Sequence, residues 1–482
     1  MTTPQAGPNL LKAEPKNQTP RAILAFAPYP STGEFLEELF SQLKREGIVY
    51  AVMRNYEGLP EKPGRDIDLL TTGFSQLVAV LKDSSRQAGY SLRIFRRYDG
   101  MVKFHLVRWR QEGLEVLEID VQWSIRCKGI TLVSPNLLPT FRVLKGVFFI
   151  LRPGAEAAIS LTKELMYHGA VPAKYKPQLA AMARSDREGF ITALKECFGD
   201  GLVTKLFDLT CQSDWQGIEA LVPQLRGNAI LRAIKHAPFG QMCRWLSFLR
   251  WNLMKFFRPS GRFVVLIGPD GSGKSTISKK LERYLQPLFQ GSCYFHGHFM
   301  IIPRLRDLAK LLGFKPSEEI AATNPDSGGF GERMIKFGIL RSMLYLTYYS
   351  LGYLLGYGVI FLRRGRGELI IFDRYYYDYL IQPGMSLPSG LIMMVSNLLP
   401  KPDLLIYLHN DPQVIFSRKP ELTIKELVRQ SAVCYQLIDR LPQGCLVETT
   451  GTPEEITERV AKILIDKMFA GGKESFSNPT LP

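Results

Sequence analysis

Apolar positions along the chain follow two different periods. From Glu34 to Glu46 they recur at Phe35, Leu36, Leu39, Phe40 and Leu43, the three-to-four spacing that predicts an amphipathic helix. Ile48 to Met53 reads as a strand, followed by Asp66-Ile67-Asp68-Leu69-Leu70, where acids alternate with apolar residues, and by Leu114 to Trp123. From about 140 to 235 the spacing turns helical, over Ala155 to Met166, Pro177 to Ala183, Glu188 to Phe198 and Pro223 to Lys235. Phe239 to Phe257 is one more helix, with Trp245, Leu246, Leu249 and Leu253 interleaved with Arg244, Arg250 and Lys255. Beyond residue 261 the pattern changes to short, largely apolar runs at 263–267, 292–296, 369–372, 402–408 and 445–448, separated by helical stretches. Such runs are what parallel strands buried on both faces require, so the chain is predicted to be α/β.

At 482 residues the chain exceeds what one core supports. The pattern divides it into a mobile tail (1–30), a front α/β domain (31–135), a helical extension (136–235), a basic amphipathic linker helix (236–260), a second α/β domain (261–470) and a closing tail (471–482). The 61 Lys and Arg against 45 Asp and Glu leave a net charge of +16, which favours anionic partners. No long basic block or aromatic-basic repeat marks a nucleic-acid groove, so no nucleic-acid partner is expected. Seven scattered cysteines without a C-x-x-C pair suit reduced thiols, and the N-terminus lacks the design of a signal peptide; both point to the cytoplasm. Ser342 to Leu362 carries no charge and is long enough to cross a bilayer, yet its tyrosines suit a buried helix and a crossing would separate the two motifs described next. Phe239 to Phe257 has two readings, a helix packed between domains or one lying on an anionic membrane surface.

The first motif follows the strand at 263–267: Gly268-Pro-Asp270-Gly271-Ser272-Gly273-Lys274-Ser275-Thr276. Small residues let backbone N–H groups converge on a polyphosphate, the following helix turns its positive dipole end toward it, Lys274 can reach the terminal phosphates and the Ser275 hydroxyl can ligate Mg²⁺. The second is Asp373-Arg374-Tyr375, at the C-terminal end of the strand at 369–372, the edge at which open α/β sheets bind ligands. Asp373 can orient Mg²⁺ and Arg374 offers a two-donor fork for a phosphate. His296 and His298 end another strand and suit substrate contact better than a metal; Arg304, Arg306 and Lys310 follow, before a Gly-rich stretch at 323–331.

Taken together, these residues over 262–468 resemble the thymidylate kinase family. The resemblance implies a P-loop domain with a five-stranded parallel sheet wrapped by helices, and ATP with Mg²⁺ as phosphoryl donor. It further implies that Asp270 touches the acceptor's sugar, that Arg374 touches its phosphate, and that Arg418 and Lys419 belong to a lid. Lys274, Asp373, Arg374 and Arg418 are then the catalytic set, and Gly268, Asp270, Gly271, Ser272, Gly273, Lys274, Ser275 and Thr276 the nucleotide-binding set. The implied activity is phosphoryl transfer to a nucleoside monophosphate or a related small phosphate ester. Two departures bear on the acceptor: Asp378 stands where the family usually has Ser, and the lid is short.

In the front domain, Asp66 and Asp68 share one face of a strand, and Asp120 lies on a later strand. This resembles the nucleotidyltransferase fold and implies that the three acids hold metal ions for a nucleoside triphosphate. The turn before them carries Arg54-Asn55-Tyr56-Glu57-Gly58 instead of the usual Gly-Ser pair. Two readings stay open: a metal site, or acids kept as surface or hydrogen-bonded groups. Lys163, His168, Lys174 and Lys176 suit either a basic helical appendage of that fold or a solvated face. A kinase behind such a domain also resembles proteins of bacterial surface-polysaccharide synthesis, which implies an accessory role beside a peripheral membrane or polysaccharide-synthesis complex. The sequence leaves a homodimer open.

Overall fold

The structure, a computed structural model, describes residues 30–110, 113–297, 299, 302, 303, 338–381 and 387–470. The tails at 1–29 and 471–482, His298, Arg304, Arg306, Lys310 and the stretch 323–331 lie outside the described residues.

The front domain is built on a seven-stranded mixed sheet. Its strands are β1 (Tyr50–Val52), β2 (Asp66–Thr71), β3 (Ser91–Tyr98), β4 (Met101–Arg110), β5 (Gly113–Gln122), β8 (Arg142–Lys145) and β9 (Phe148–Leu151), in the order β3-β4-β5-β2-β1-β9-β8; a separate hairpin joins β6 (Ile125–Cys127) and β7 (Ile130–Val133). Helices Thr32–Arg45 and Phe74–Gln87 bury Phe35, Leu36, Leu39, Leu77 and Leu81 against it. Ser31 and Glu34 form a reciprocal capping box at the first of these. The sheet continues past 135: β8 and β9 return to pair beside β1, so the change to helices falls at 151. A helical layer from Pro153 to His236 covers it, with Ala155, Leu161, Phe190, Leu206 and Leu225 in one core.

The second domain is an all-parallel five-stranded sheet of β10 (Arg262–Ile267), β11 (Gly291–His296), β12 (Glu368–Asp373), β13 (Leu404–His409) and β14 (Gly444–Glu448), in the order β11-β12-β10-β13-β14. β10, β12 and β13 bury both faces and are apolar nearly throughout, whereas the edge strands β11 and β14 are only partly buried. On one face Phe263, Val265 and Ile267 meet helix Ile339–Arg366; on the other Val264 and Leu266 meet helices Lys274–Leu285 and Pro453–Ala470.

The two domains share a core. Alternation along β4 and β5 places Lys103, His105, Val107 and Trp109 on one face, register-matched to Asp120, Glu118, Val116 and Leu114. The apolar end of that face closes on the second domain: Val107 joins the core beneath helix Lys274–Leu285, and Trp109 stacks on Tyr284 at 6.3 Å. Arg96 on β3 donates to Gln290 Oε1 and the Gly365 carbonyl, both at 2.8 Å. Helix Pro238–Phe257 bridges the same junction, with Gln241 donating to the Gly129 carbonyl and Phe256 stacked on Phe361. No helix among the described residues is long and apolar enough to cross a membrane.

Candidate active site

Parallel pairing sets β10 and β12 side by side with Leu266 opposite Asp373, so the loop after one and the acid at the end of the other meet at the same sheet edge. The loop turns through backbone that only glycine adopts easily: Gly268 has φ +149°, and a Cβ there would lie 2.8 Å from Ser272 Oγ and 2.9 Å from the Leu408 carbonyl. Residues 270–277 then line a cleft of about 470 Å³ together with Arg374, Arg418, Lys419, Thr449 and Gly451. Ser272, Ser275 and Thr276, named from sequence, all face it.

Lys274 is buried and donates to the Gly268 and Pro269 carbonyls at 2.7 and 2.8 Å, lying 3.4 Å from Asp270. The ammonium is thus held at the mouth of the loop whose N–H groups the motif reserves for phosphate. Arg374 adopts φ +66°, a conformation costing a non-glycine residue roughly 1–3 kcal/mol. That backbone turns its guanidinium onto Asp270 and within 4.0 Å of Asp378. Asp378 is itself pushed up to about 6 by burial, against the opposing charges of Arg374 and Lys274.

Asp373 is fully buried. Its Oδ2 accepts from the Ser275 hydroxyl and from Tyr294 at 3.0 Å, with His296 Nδ1 at 3.3 Å, while Oδ1 has no hydrogen-bond partner among the described residues. Burial alone would raise its pKa; the bond to His296, the charge of Lys274 and the Ser275 hydroxyl outweigh burial and hold it down at about 2. A buried carboxylate that stays ionised and keeps one oxygen open beside a serine hydroxyl fits the all-oxygen donor set of Mg²⁺. Tyr294 was not among the residues named from sequence; its signal is β11 itself, whose register sets His296 opposite Asp373.

The front acids are arranged differently. The structure gathers Asp66, Glu118 and Asp120, with carboxylate oxygens within 4.8 Å of one another, and turns Asp68 away to Arg54 Nε and Gln122 Nε2. Lys103 ion-pairs with both Glu118 and Asp120, the latter at 3.1 Å, and His105 Nε2 lies 3.1 Å from Glu118. Lys163 faces the same group: burial pulls its pKa down, with Asp68 opposing. An ammonium supplied by β4 thus lies between Glu118 and Asp120, while Asp66, Glu118 and Asp120, with Glu118 in the place that the sequence pattern gives to Asp68, form the group of carboxylates close enough together to hold a metal ion. Glu118, Lys103 and His105 were missed from sequence; the even spacing of Glu118 and Asp120 carried the first, and only strand register supplies the other two. Burial pushes the Asp120 carboxyl up to about 7, with Lys103 offsetting it in part and Asp68 adding to it. Burial likewise works against ionised Glu118, but the bonds from His105 and Lys103 win and hold it at about 2.

No protein-family profile matches the chain. Among curated proteins, the mitochondrial iron-sulfur clusters transporter ABCB7 of Oryzias latipes and of Danio rerio are 37% and 36% identical to it over 73 residues, 15% of this chain. The chain spans about a tenth of the length of those relatives. Among solved structures it is similar to thymidylate kinase from Ehrlichia chaffeensis, at 16% identity and a TM-score of 0.30, covering 42% of this chain and 98% of that one. It is also similar to thymidylate kinase from Candida albicans, at 19% identity and a TM-score of 0.32, covering 43% and 93%. Likenesses of this size assign no residue a role.

Proposed function

We propose that the second domain transfers a phosphoryl group from ATP to a small phosphorylated acceptor, a nucleoside monophosphate or a related phosphate ester. The observation that carries this reading is the convergence of Lys274, Ser275, Asp373, Arg374 and Arg418 on one sheet edge and its cleft. Phosphoryl transfer needs in-line positioning and charge neutralisation more than a strong base, and these groups supply both. The loop N–H groups and Lys274 hold the donor's phosphates. Ser275 and Asp373 would hold Mg²⁺, which when bound neutralises charge on the transferred group. Arg374 is oriented toward the acceptor side by its backbone and by Asp270 and Asp378, so an incoming phosphate exchanges with Asp270 for the guanidinium.

The test follows ADP formation with ATP, Mg²⁺ and a panel of nucleoside monophosphates and sugar phosphates. ADP that needs one acceptor and vanishes in Lys274→Ala supports the kinase; ATP binding without acceptor-dependent ADP refutes it for that panel. A second reading, in which ATP occupancy works as a switch, draws on the packing of Val107 and Trp109 against the helix that carries Lys274. It predicts tight binding with little turnover.

A further inference from the structure

We infer that helices Pro238–Phe257 and Ile339–Arg366 form a docking surface for an anionic lipid bilayer, with their exposed apolar side chains set into the interface. On the first helix the exposed positions include Met242, Trp245, Leu246, Leu249, Leu253 and Phe257. At 100° per residue these fall within an arc of about 120°, a single stripe. Arg244 and Lys255 instead lie toward the packed side, where Arg244 bonds Gln241 and Lys255 lies over Phe256. Of the basic residues mixed with apolar ones along this helix in sequence, these two are thus separated from the stripe, and Arg250 is exposed at its edge.

The second helix inverts the ordinary arrangement of a soluble protein. Its buried side carries Tyr349 and Tyr353, packed with Tyr375 and Tyr376, while Leu340, Leu344, Leu351, Leu354, Leu355 and Leu362 are exposed at helical spacing. Leu340 is 84% exposed and Leu344 64%. Single exposed leucines need no explanation, but two touching helices with continuous apolar stripes mark an interaction surface.

Charge selects the occupant. Residues 220–269 contain eight Lys or Arg and no Asp or Glu, and Arg250 and Arg258 on this stretch are exposed; helix Ile339–Arg366 also lacks acids and adds exposed Arg366, while its Arg363 and Arg364 pair with Glu368 and Asp403. Apolar stripes accompanied by exposed Arg250, Arg258 and Arg366 complement a leaflet with anionic headgroups. A second copy of this chain would bring two net-cationic surfaces together, which opposes self-association there.

Co-sedimentation of the full-length protein with vesicles of phosphatidylcholine, with and without phosphatidylglycerol, tests the inference. Binding is expected only to the anionic vesicles and should weaken with salt. Leu249→Glu/Leu253→Glu and Leu351→Glu/Leu355→Glu should each lower partitioning roughly a hundredfold, while keeping the parent's circular dichroism and nucleotide binding, because the four side chains are exposed. Quenching of tryptophan fluorescence by brominated anionic lipid, reduced in Trp245→Phe, reads insertion directly. Equal binding of parent and variants, or no binding to anionic vesicles, overturns the inference. So does a dimer in sedimentation that these substitutions dissociate, which would assign the surface to a second copy.

Discussion

Asp373 and Asp120 are both buried carboxylates on central strands, each with a lysine and a histidine in its surroundings, and the protein treats them in opposite ways. At the end of β12, Asp373 meets one hydroxyl from Ser275, another from Tyr294 and the His296 ring on a single oxygen, which leaves the other oxygen buried and without a hydrogen-bond partner among the described residues. Two residues before the end of β5, Asp120 is flanked by Asp68 and Glu118 and faces Lys103 from the next strand at 3.1 Å, and burial pushes its carboxyl up to about 7. The first arrangement keeps a charge ready for a ligand; the second consumes its charge internally. Cross-strand neighbours make the difference: both acids lie near the C-terminal ends of their strands, but β4 sets Lys103 opposite Asp120 inside an ion-pair network, whereas β11 sets His296 opposite Asp373.

The comparison breaks first at Lys274. Lys274→Ala should lower acceptor-dependent ADP formation roughly a thousandfold, about 4 kcal/mol, without much loss of stability. Under the same assay, Asp66→Asn and Asp120→Asn should leave turnover within about twofold, since nothing in the front network reaches the cleft. A front variant that abolishes ADP formation would instead make the two sites one machine.

The front network should answer in stability. Arg54→Ala leaves Asp68, 2% exposed, with the Gln122 amide as its one side-chain hydrogen bond among the described residues and the charge of Lys163 nearby, and should cost about 3 kcal/mol by denaturant unfolding. If the loss is negligible, the ion pair is incidental and the contrast with Asp373 disappears. Arg374→Ala should reduce kcat/KM for the acceptor roughly a hundredfold while leaving the affinity for ATP nearly unchanged, which separates the acceptor side of the cleft from the donor side.

Smaller effects sharpen the boundary between the regions. Val107→Ala removes two methyl groups from the shared core and should cost about 1–3 kcal/mol. Under the switch reading it should also shift ATP affinity, which isothermal titration would detect; under the kinase reading alone, ATP affinity should hold.

The pH response should differ in sign. The folded Asp120 carboxyl keeps its proton up to about 7, against an ordinary value of 3.8. Its contribution to stability is therefore complete below about 4 and is lost as pH rises through 7. Asp373, held at about 2, contributes above about 4 and loses that contribution as pH falls toward 2. Asp120→Asn should flatten the parent's decline in unfolding free energy between about pH 5 and pH 8 by on the order of 1–2 kcal/mol. An unchanged slope would show that Asp120 is already ionised beside Lys103.

Much of this architecture is legible in the chain because it is written in local patterns. The three central parallel strands β10, β12 and β13 announce themselves as apolar runs, since burial on both faces leaves almost no position free to be polar. The loop at Gly268–Thr276 is legible for a related reason: cradling a phosphate with backbone N–H groups demands glycine and small residues at consecutive positions. Asp373 and Arg374 are legible as the polar pair that ends an apolar run. What stays hidden depends on register and on neighbours remote in sequence. Lys103 looks like an ordinary surface cation until β4 pairs with β5 and sets it against Asp120, and β8 and β9 fall within the stretch that reads as helical until they return beside β1.

The same holds for the two apolar helices. Periodicity alone shows that Phe239 to Phe257 and Ser342 to Leu362 are helical and apolar, but both sides of each helix carry large side chains, so sequence does not say which side is covered. Packing of Phe256 on Phe361 and of the tyrosine side against Tyr375 decides it, and the leucines are what remain outside. Local chemistry thus determined the elements and the phosphate loop. The tertiary structure alone decided which acids keep an open oxygen, which are neutralised, and which apolar faces are left to meet a partner, because each of those depends on groups that only folding brings within a few ångströms.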